Sequence, residues 1–245
     1  MIDLKKYIGY HSPGYVIEIY KDGIETEIIA GNKEVYPKKE KTTKDTLYDI
    51  ASLTKTFTAT LIYIAYEEEK IDINDTVYNI EKKFNNLKQV KIIDLLSHNQ
   101  NIWTDGYLGN AKSKEEFYNI IYSAYVKENI ETYVDVHYMI LSTILEKIYK
   151  KPFHKICKEN DFQKTYNNMG ARYRNVIKSL NDIPIKVSDN SVTFSGYTGP
   201  MYLVDFDKKI IVIIMCNVIH TAHLERKKRK EITEEIMNMI FNKIL

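Results

Sequence analysis

The chain has 245 residues and a formal net charge of +2, and 44% of its residues are hydrophobic. This composition suits one domain with a buried core, and the near-neutral charge excludes the concentrated basic excess of a dedicated nucleic-acid-binding protein. No apolar run reaches the roughly 18 residues that a membrane-spanning helix needs, and two cysteines do not form a disulfide framework. We therefore expect a reduced, cytoplasmic protein that binds neither nucleic acid nor membrane.

Strand patterns dominate both ends of the chain. Apolar and β-branched residues at 15–20 and 24–30 flank the turn at 21–23, whose Asp-Gly sequence predicts a hairpin. Three more strands are predicted near the C-terminus, at 193–199, 201–205 and 209–216. After them, apolar residues at every third or fourth position predict a helix over 231–245.

Between these ends the apolar residues follow the period of helices. Four helices are predicted there, at 53–64, 90–97, 117–126 and 136–149. Because strands cluster at the ends and helices in the middle, the fold class is predicted as α+β, with an antiparallel sheet built from both chain termini and flanked by helices. The sheet domain is assigned to 1–50 and 188–245, and the helical region to 51–187, within a single structural unit.

Ser52 and Lys55 lie at the start of the first predicted helix. A serine at a helix N-terminus lies beside free backbone N–H groups and the positive end of the helix dipole, which stabilise an alkoxide or a developing oxyanion. Lys55 follows about one turn later on the same face, within reach of the serine hydroxyl. The same spacing also describes a serine N-cap with a solvated lysine, so the pair alone is weak evidence for a nucleophile.

Tyr133 is the second candidate, in the segment Tyr133-Val134-Asp135 before the helix predicted from Val136. A tyrosine in a loop that approaches a serine–lysine pair can accept a proton, because the nearby ammonium favours the phenolate. The chain has 20 tyrosines, however, so any single one is weak evidence. Asp135 also fits the N-cap position of the following helix.

The third candidate is the segment Gly196-Tyr197-Thr198-Gly199. Small residues there let the backbone of a substrate lie alongside a strand. A bulge or a turn explains the two glycines equally well. These three segments become informative through their order along the chain.

In that order they resemble the penicillin-recognising serine hydrolases, which comprise class C β-lactamases, D,D-peptidases and related esterases. The resemblance covers most of the chain, with similar segments at 13–16, 21–23, 45–59, 70–77, 93–98, 133–141 and 196–205. It implies a β-lactamase/transpeptidase-like fold in which Ser52 is the nucleophile of an acyl-enzyme, Lys55 its partner and Tyr133 the general base and later acid. It also implies an oxyanion hole made by the backbone N–H of Ser52 and one from the strand after Gly199.

The resemblance further implies five substrate-binding residues: Asp135, Tyr197, Thr198, Gly199 and Trp103, although ordinary core packing would explain Trp103 equally well. Three features depart from the family's pattern. Tyr197 stands where Lys or His usually attracts a carboxylate, which favours a neutral ester or amide unless a basic residue arrives from elsewhere. Pro200 has no N–H, so an oxyanion-hole donor is missing if the register is right. Asp135 replaces the usual Asn, and the short interval between Tyr133 and Tyr197 indicates a reduced helical insert.

Together these residues predict a serine hydrolase that cleaves a small-molecule or peptide ester or amide, without distinguishing hydrolysis from acyl transfer. A catalytically weak member that binds a peptide or acyl ligand is the first alternative, and a β-lactamase or D,D-peptidase is the second. No metal or organic cofactor is implied, since His220 and His223 lack a third ligand and the i, i+4 spacing of a helical metal pair. The basic run 226–230 is interpreted as a solvated surface before the last helix. The oligomeric state is not indicated.

Overall fold

A computed structural model describes residues 2–159, 187–220 and 224–244. The chain divides into two compact units, one made of Met1–Thr54 with Ile177–Leu245 and the other of Lys55–Val176. Within the described ranges, no helix is both long and apolar enough to cross a membrane. His223, one of the two histidines considered above, lies outside the described residues.

The described residues form eight strands, which are β1 (Gly14–Lys21), β2 (Ile24–Glu34), β3 (Glu40–Lys41), β4 (Asn101–Trp103), β5 (Tyr125–Glu128), β6 (Ser191–Ser195), β7 (Met201–Asp205) and β8 (Ile210–Cys216). They also form seven α-helices, which are α1 (Thr54–Glu67), α2 (Val77–Ile80), α3 (Ile92–Leu96), α4 (Lys114–Tyr122), α5 (Val136–Tyr149), α6 (Phe153–Glu159) and α7 (Arg226–Ile244). Short 3-10 turns at Ala51–Leu53 and Leu108–Asn110 precede α1 and α4.

The first unit contains a six-stranded sheet in the order β3-β2-β1-β8-β7-β6, with every neighbouring pair antiparallel. Segments from both chain ends therefore form one sheet, as predicted. Every second residue of β8 is buried, which is the period of a strand with one covered face. Helix α7 covers this face, and its Ile232, Ile236 and Ile240 share one hydrophobic core with Ile17 and Ile214 of the sheet.

The predicted hairpin at the N-terminus is confirmed. Lys21 pairs with Ile24 at the end of the β1–β2 ladder, so two residues form the turn. These residues, Asp22 and Gly23, have φ angles of +51° and +79°. Positive φ at both central positions is the geometry that Asp-Gly adopts easily and that matches the twist of the flanking strands.

The second unit is mostly helical, and α5 begins and ends where the sequence predicts. The small β4–β5 hairpin was not predicted. Residues 125–126 were assigned to the end of a helix over 117–126, but α4 ends at Tyr122 and β5 pairs with β4. Short apolar runs fit either structure by periodicity alone, so pairing with a distant segment decides the outcome.

Two predicted boundaries near the C-terminus are wrong. Helix α7 begins at Arg226, so the basic run forms its first turns instead of preceding it. Cations at a helix N-terminus oppose the helix dipole, which is why the sequence pattern did not indicate a start there. Strand β6 covers Ser191–Ser195 and not 193–199. The strand cannot continue through Gly199, whose φ of +121° lies outside the range of extended backbone.

Candidate active site

The residues predicted for the site fall in both units. The first unit contains Ser52, Tyr197, Thr198, Gly199 and Pro200, and the second contains Lys55, Trp103, Tyr133 and Asp135. The contacts of each group within its own unit show which predicted residues lie together.

Ser52 lies in the 3-10 turn Ala51–Leu53, which runs directly into α1. Thr54 already has helical angles, with φ −53° and ψ −31°. Ala51 has a φ of +44°, which is uncommon for a residue with a side chain. The Asp49 carboxylate accepts a hydrogen bond from the Ala51 N–H at 2.8 Å and stabilises this backbone. Strained backbone of this kind clusters at functional sites, so the turn is consistent with a nucleophile ahead of a helix.

The turn that links β6 to β7 lies against the residues just before Ser52. The Thr198 hydroxyl donates to the Asp49 carbonyl at 2.5 Å. A Cβ atom at Gly196 would overlap the Ile50 carbonyl oxygen, so only glycine fits there. Of the two explanations considered for this glycine, close packing in a turn is the one that the structure supports. The first unit thus brings the Ser52 turn and the third predicted segment together.

Pro200 follows this turn and begins the approach to β7. Its carbonyl accepts a hydrogen bond from the Gly196 N–H at 2.7 Å, and the Gly199 N–H donates to the Gly196 carbonyl at 3.0 Å. The nitrogen of Pro200 cannot donate, so the position that the resemblance assigns to an oxyanion-hole donor lacks one. Among the described residues, the N–H groups of Tyr197 and Thr198 have no acceptor. They are the other donors that this turn offers.

A basic side chain lies beside Tyr197. The Arg229 guanidinium, from the first turn of α7, is 5.3 Å from the centroid of the Tyr197 ring, within the range of a cation–π contact. The Arg229 Nε atom is buried and has no hydrogen-bond partner among the described residues. The Arg229 carbonyl lies 3.2 Å from His11 Nε2 and accepts a hydrogen bond from the Thr233 hydroxyl at 3.0 Å.

Sequence reasoning missed Arg229 because it placed the whole basic run on a solvated surface. The spacing between Arg229 and the apolar residues of the helix could have identified it. Arg229 precedes Ile232 by three residues and Ile236 by seven, so it lies on the same side of the helix as the buried residues. A basic residue on the buried side of an amphipathic helix indicates a functional role more strongly than a basic residue on its exposed side does.

The second unit brings Lys55, Tyr133 and Asp135 together. Lys55 is 8% exposed, and its ammonium donates to the Asp135 carboxylate. The same ammonium is 5.0 Å from the centroid of the Tyr133 ring and 5.9 Å from that of Tyr138. Asp135 is the N-cap residue of α5, but its side chain makes no capping hydrogen bond. Asp135 therefore occupies the predicted N-cap position, but its carboxylate binds Lys55 instead of capping the helix.

Two buried histidines adjoin this group. His98 Nδ1 is 2.6 Å from His137 Nδ1, and the ring centroids of His98 and Tyr133 are 4.6 Å apart. Burial lowers the pKa of His98 to about 3, and His137 and Lys55 act in the same direction. Burial likewise lowers the pKa of His137 to about 4, again with a contribution from Lys55. Both rings are therefore neutral at physiological pH.

We expect the protein to lose stability as the pH falls from about 6.5, where histidines of the unfolded chain take up protons, towards about 4. The pKa values of His98 and His137, and that of His11, which burial lowers to about 4, all lie below this unfolded value. The folded state thus binds fewer protons, and each missing proton costs about 1.4 kcal/mol of unfolding free energy per pH unit. Urea-unfolding midpoints measured across this range test the prediction, and a constant midpoint would contradict it.

Trp103 does not join the Lys55 group among the described contacts. It lies on β4, where its Nε1 donates to Asn101 Oδ1 at 3.0 Å and the Lys127 ammonium is 3.8 Å from the centroid of its ring. These contacts fix Trp103 within the β4–β5 hairpin. Its assignment to substrate binding stays a prediction.

The second unit also has a cleft away from the predicted site. A cleft of about 920 Å³ lies between α4 and α5, and its lining contains none of the predicted site residues. Two of its acidic side chains are engaged, since Glu81 pairs with Lys147 at 3.1 Å and Glu146 accepts a hydrogen bond from Tyr118. Across the described ranges, no group of three or more His, Cys, Asp or Glu side chains could hold a metal ion.

Comparison with known proteins identifies a sequence family and similar folds. A family model described as Beta-lactamase matches residues 4–172. The structure is similar to a class C β-lactamase from Rhodobacter sphaeroides, with a TM-score of 0.75 and 11% identity over 99% of this chain and 98% of that chain. It is also similar to FmtA from Staphylococcus aureus, with a TM-score of 0.65 and 18% identity over 96% and 88% of the two chains.

A further similar structure is the D-alanine carboxypeptidase AmpC from Burkholderia cenocepacia, with a TM-score of 0.64 and 14% identity over 96% of this chain and 95% of that chain. No curated protein sequence matches the chain. At these identities the similarity establishes the fold alone. The predicted α+β fold of the β-lactamase/transpeptidase type is thereby confirmed.

Proposed function

Because the chain belongs to the β-lactamase family, we propose that it is a serine hydrolase that cleaves an ester or amide through an acyl-enzyme on Ser52. One observation carries the proposal. Lys55, on the helix that starts directly after the Ser52 turn, contacts both Tyr133 and Asp135. A buried lysine that joins a tyrosine to a carboxylate is a costly arrangement for a merely structural role.

In the proposed reaction, the Ser52 hydroxyl oxygen forms a bond to the substrate carbonyl carbon, and Tyr133, reacting in its phenolate form, takes the hydroxyl proton. Tyr133 then gives this proton to the leaving alcohol or amine. Water or another nucleophile attacks the acyl carbon and gives a proton to Tyr133, which passes it to the departing Ser52 oxygen. The Lys55 ammonium donates a hydrogen bond to the Asp135 carboxylate, and an ammonium group has no lone pair with which to accept a proton. This assigns the base to Tyr133 and electrostatic support to Lys55.

The proposed substrate is a small-molecule or peptide ester or amide. The sequence favoured a neutral substrate because Tyr197 replaces a cation, but the Arg229 guanidinium beside Tyr197 supplies positive charge from α7. This supports a substrate that carries an anionic group near the scissile bond, such as a carboxylate. We place the activity in the cytoplasm, where cysteines such as Cys157 and Cys216 stay reduced.

Replacing Arg229 with glutamine (Arg229→Gln) is expected to lower kcat/KM for a carboxylate-bearing ester by about tenfold or more, because a charge-assisted contact contributes about 1.5–3 kcal/mol. A neutral ester of the same alcohol should change by no more than about twofold. Arg226→Gln removes an exposed charge from the same helix and serves as the control. Equal losses on both esters would contradict a charge-selecting role for Arg229.

The experiment that tests the proposed function is intact-mass measurement after incubation of the folded protein with a fluorophosphonate probe. Such probes react with activated serines, so we expect one adduct per chain and expect peptide mapping to locate it on Ser52. Neutral and carboxylate-bearing esters would then be screened for turnover. A folded protein that acquires no adduct, or acquires it on another residue, would overturn the proposal.

Pro200 favours a second candidate function, a catalytically weak family member that binds a peptide or acyl ligand. Loss of one oxyanion-hole donor typically lowers the rate by about a hundredfold to a thousandfold. This candidate predicts ligand binding without a probe adduct. Arg229 also removes one objection to the β-lactamase or D,D-peptidase alternative, because the substrates of those enzymes carry a carboxylate.

A further inference from the structure

The His98–His137 pair is a buried titratable group that the proposed reaction does not use. His98 is 8% exposed and His137 is fully buried, and their Nδ1 atoms are 2.6 Å apart. A hydrogen bond between two Nδ1 atoms requires one ring to carry its proton on Nδ1 and the other to have a bare Nδ1. In a neutral pair, one ring therefore carries its proton on Nδ1 and the other carries its proton on Nε2. The single Nδ1 proton lies between the two rings.

His98 holds the Tyr133 loop at two points. Its carbonyl accepts a hydrogen bond from the Thr132 N–H at 2.9 Å, and its ring packs on Tyr133 with a centroid distance of 4.6 Å and an angle of 39°. The His98 backbone has a φ of +58°, a conformation that histidine adopts more readily than most residues. Both backbone and ring of His98 thus restrain the residue next to Lys55.

Charge explains why a neutral pair is suited to this place. The titratable groups around His98 are His137, Lys55, Asp135, Tyr133 and Tyr138. The Asp135 carboxylate already pairs with the Lys55 ammonium. A second cation at His98 would repel that ammonium in a poorly solvated environment. Two rings that satisfy each other's Nδ1 atoms provide rigid packing without this repulsion.

We propose that the His98–His137 pair is a neutral clamp that positions the Tyr133 ring beside the Lys55 ammonium for the reaction. The inference rests on the proposed function, and both histidines act as positioning residues. His137 reaches Tyr133 through His98, so changes at His137 report whether the clamp transmits its effect.

The test compares His137→Asn with His137→Leu in the full chain. The asparagine amide occupies the place of Nδ1 and can bond to His98, whereas leucine fills a similar volume and cannot. The measured quantity is the rate constant of Ser52 phosphonylation by the fluorophosphonate between about pH 5 and pH 8. Because a misplaced catalytic group costs up to about a hundredfold, we expect His137→Leu to react at least about tenfold more slowly and His137→Asn to stay within about threefold of the wild type.

The pH profile separates positioning from a general loss of structure. His137 is one of the groups that lower the pKa of His98, so its replacement with leucine lets His98 take up a proton at higher pH. Asparagine also removes this neighbouring ring, so an acid limb caused by His98 should appear at the same pH in both variants, and only the rate above it should differ, being lower in His137→Leu. Unchanged rates in both variants, or equal losses at every pH in both, would overturn the inference.

A second measurement does not depend on activity. Long-range ¹H–¹⁵N NMR of the wild type should show different neutral tautomers for His98 and His137 from about pH 5 to pH 8, and an NOE between the His98 and Tyr133 rings. Two equal tautomers, titration within this range or a missing NOE would overturn the clamp. If the wild type shows the clamp but acquires no adduct, the proposed function fails separately. Should His137→Leu not fold, His137→Asn and the NMR data still decide the matter.

Discussion

Ser52→Ala is expected to abolish fluorophosphonate labelling and substrate turnover while the protein stays folded. The hydroxyl oxygen of Ser52 is the atom that becomes acylated in the proposed reaction, and removal of a catalytic serine typically lowers kcat by about 10⁴-fold or more. Alanine is smaller and keeps the backbone N–H, so the 3-10 turn and its bond between Ala51 and Asp49 should persist. Intact mass and steady-state rates measure the effect.

Ser195→Ala is the matched control, because Ser195 is an exposed serine at the end of β6 in the same unit. It should react with the probe at the wild-type rate. Circular dichroism and urea unfolding establish that both variants are folded. If Ser52→Ala retained the wild-type labelling rate, another residue would be the nucleophile and the family's chemistry would not transfer to this chain.

Pro200→Ala is expected to accelerate acylation of Ser52 by about a hundredfold to a thousandfold. The substitution supplies a backbone N–H where the resemblance assigns an oxyanion-hole donor, and this is the factor that one such donor contributes in other hydrolases. The Pro200 carbonyl, which accepts from the Gly196 N–H, is retained. Loss of the rigid ring should lower the free energy of unfolding by no more than about 1 kcal/mol.

Pro152→Ala, at the start of α6, removes a proline from the other unit and should leave the acylation rate unchanged. A rate within about threefold of wild type in Pro200→Ala would contradict the expectation and would direct attention to the Tyr197 and Thr198 N–H groups. Labelling of Pro200→Ala combined with none of the wild type would identify the natural chain as a hydrolase that has lost its second donor.

The sequence predicted the architecture where local patterns are unambiguous. Apolar, β-branched runs predicted β1, β7 and β8, and a sustained helical period predicted α5 with the bounds that the structure has. Asp-Gly at a two-residue turn predicted the first hairpin. In each case neighbouring residues along the chain supply the physical signal, so no knowledge of distant contacts is needed.

The features that the sequence did not predict depend on contacts between residues far apart in the chain. β5 forms because it pairs with β4, and the Arg229 contact with Tyr197 joins α7 to a turn that precedes it by about thirty residues of chain. The hydrogen bond between His98 and His137 likewise links the turn after α3 to α5 in the second unit. None of these contacts follows from periodicity or propensity, because distant parts of the chain meet only in the folded protein. The resemblance grouped Lys55 with Tyr133, but it did not indicate that the Asp135 carboxylate pairs with Lys55.

Helix α7 makes the charge next to Tyr197 dependent on core packing. Ile232, Ile236 and Ile240 fix the rotation of the helix against the sheet, and Arg229 is carried to Tyr197 by that rotation. Successive helical residues are about 100° apart, so inserting or deleting one residue between Arg229 and Ile232 would turn the guanidinium away while the core stayed intact. Related chains could therefore diverge in substrate charge preference through a single-residue length change in this helix, without any substitution at the nucleophile.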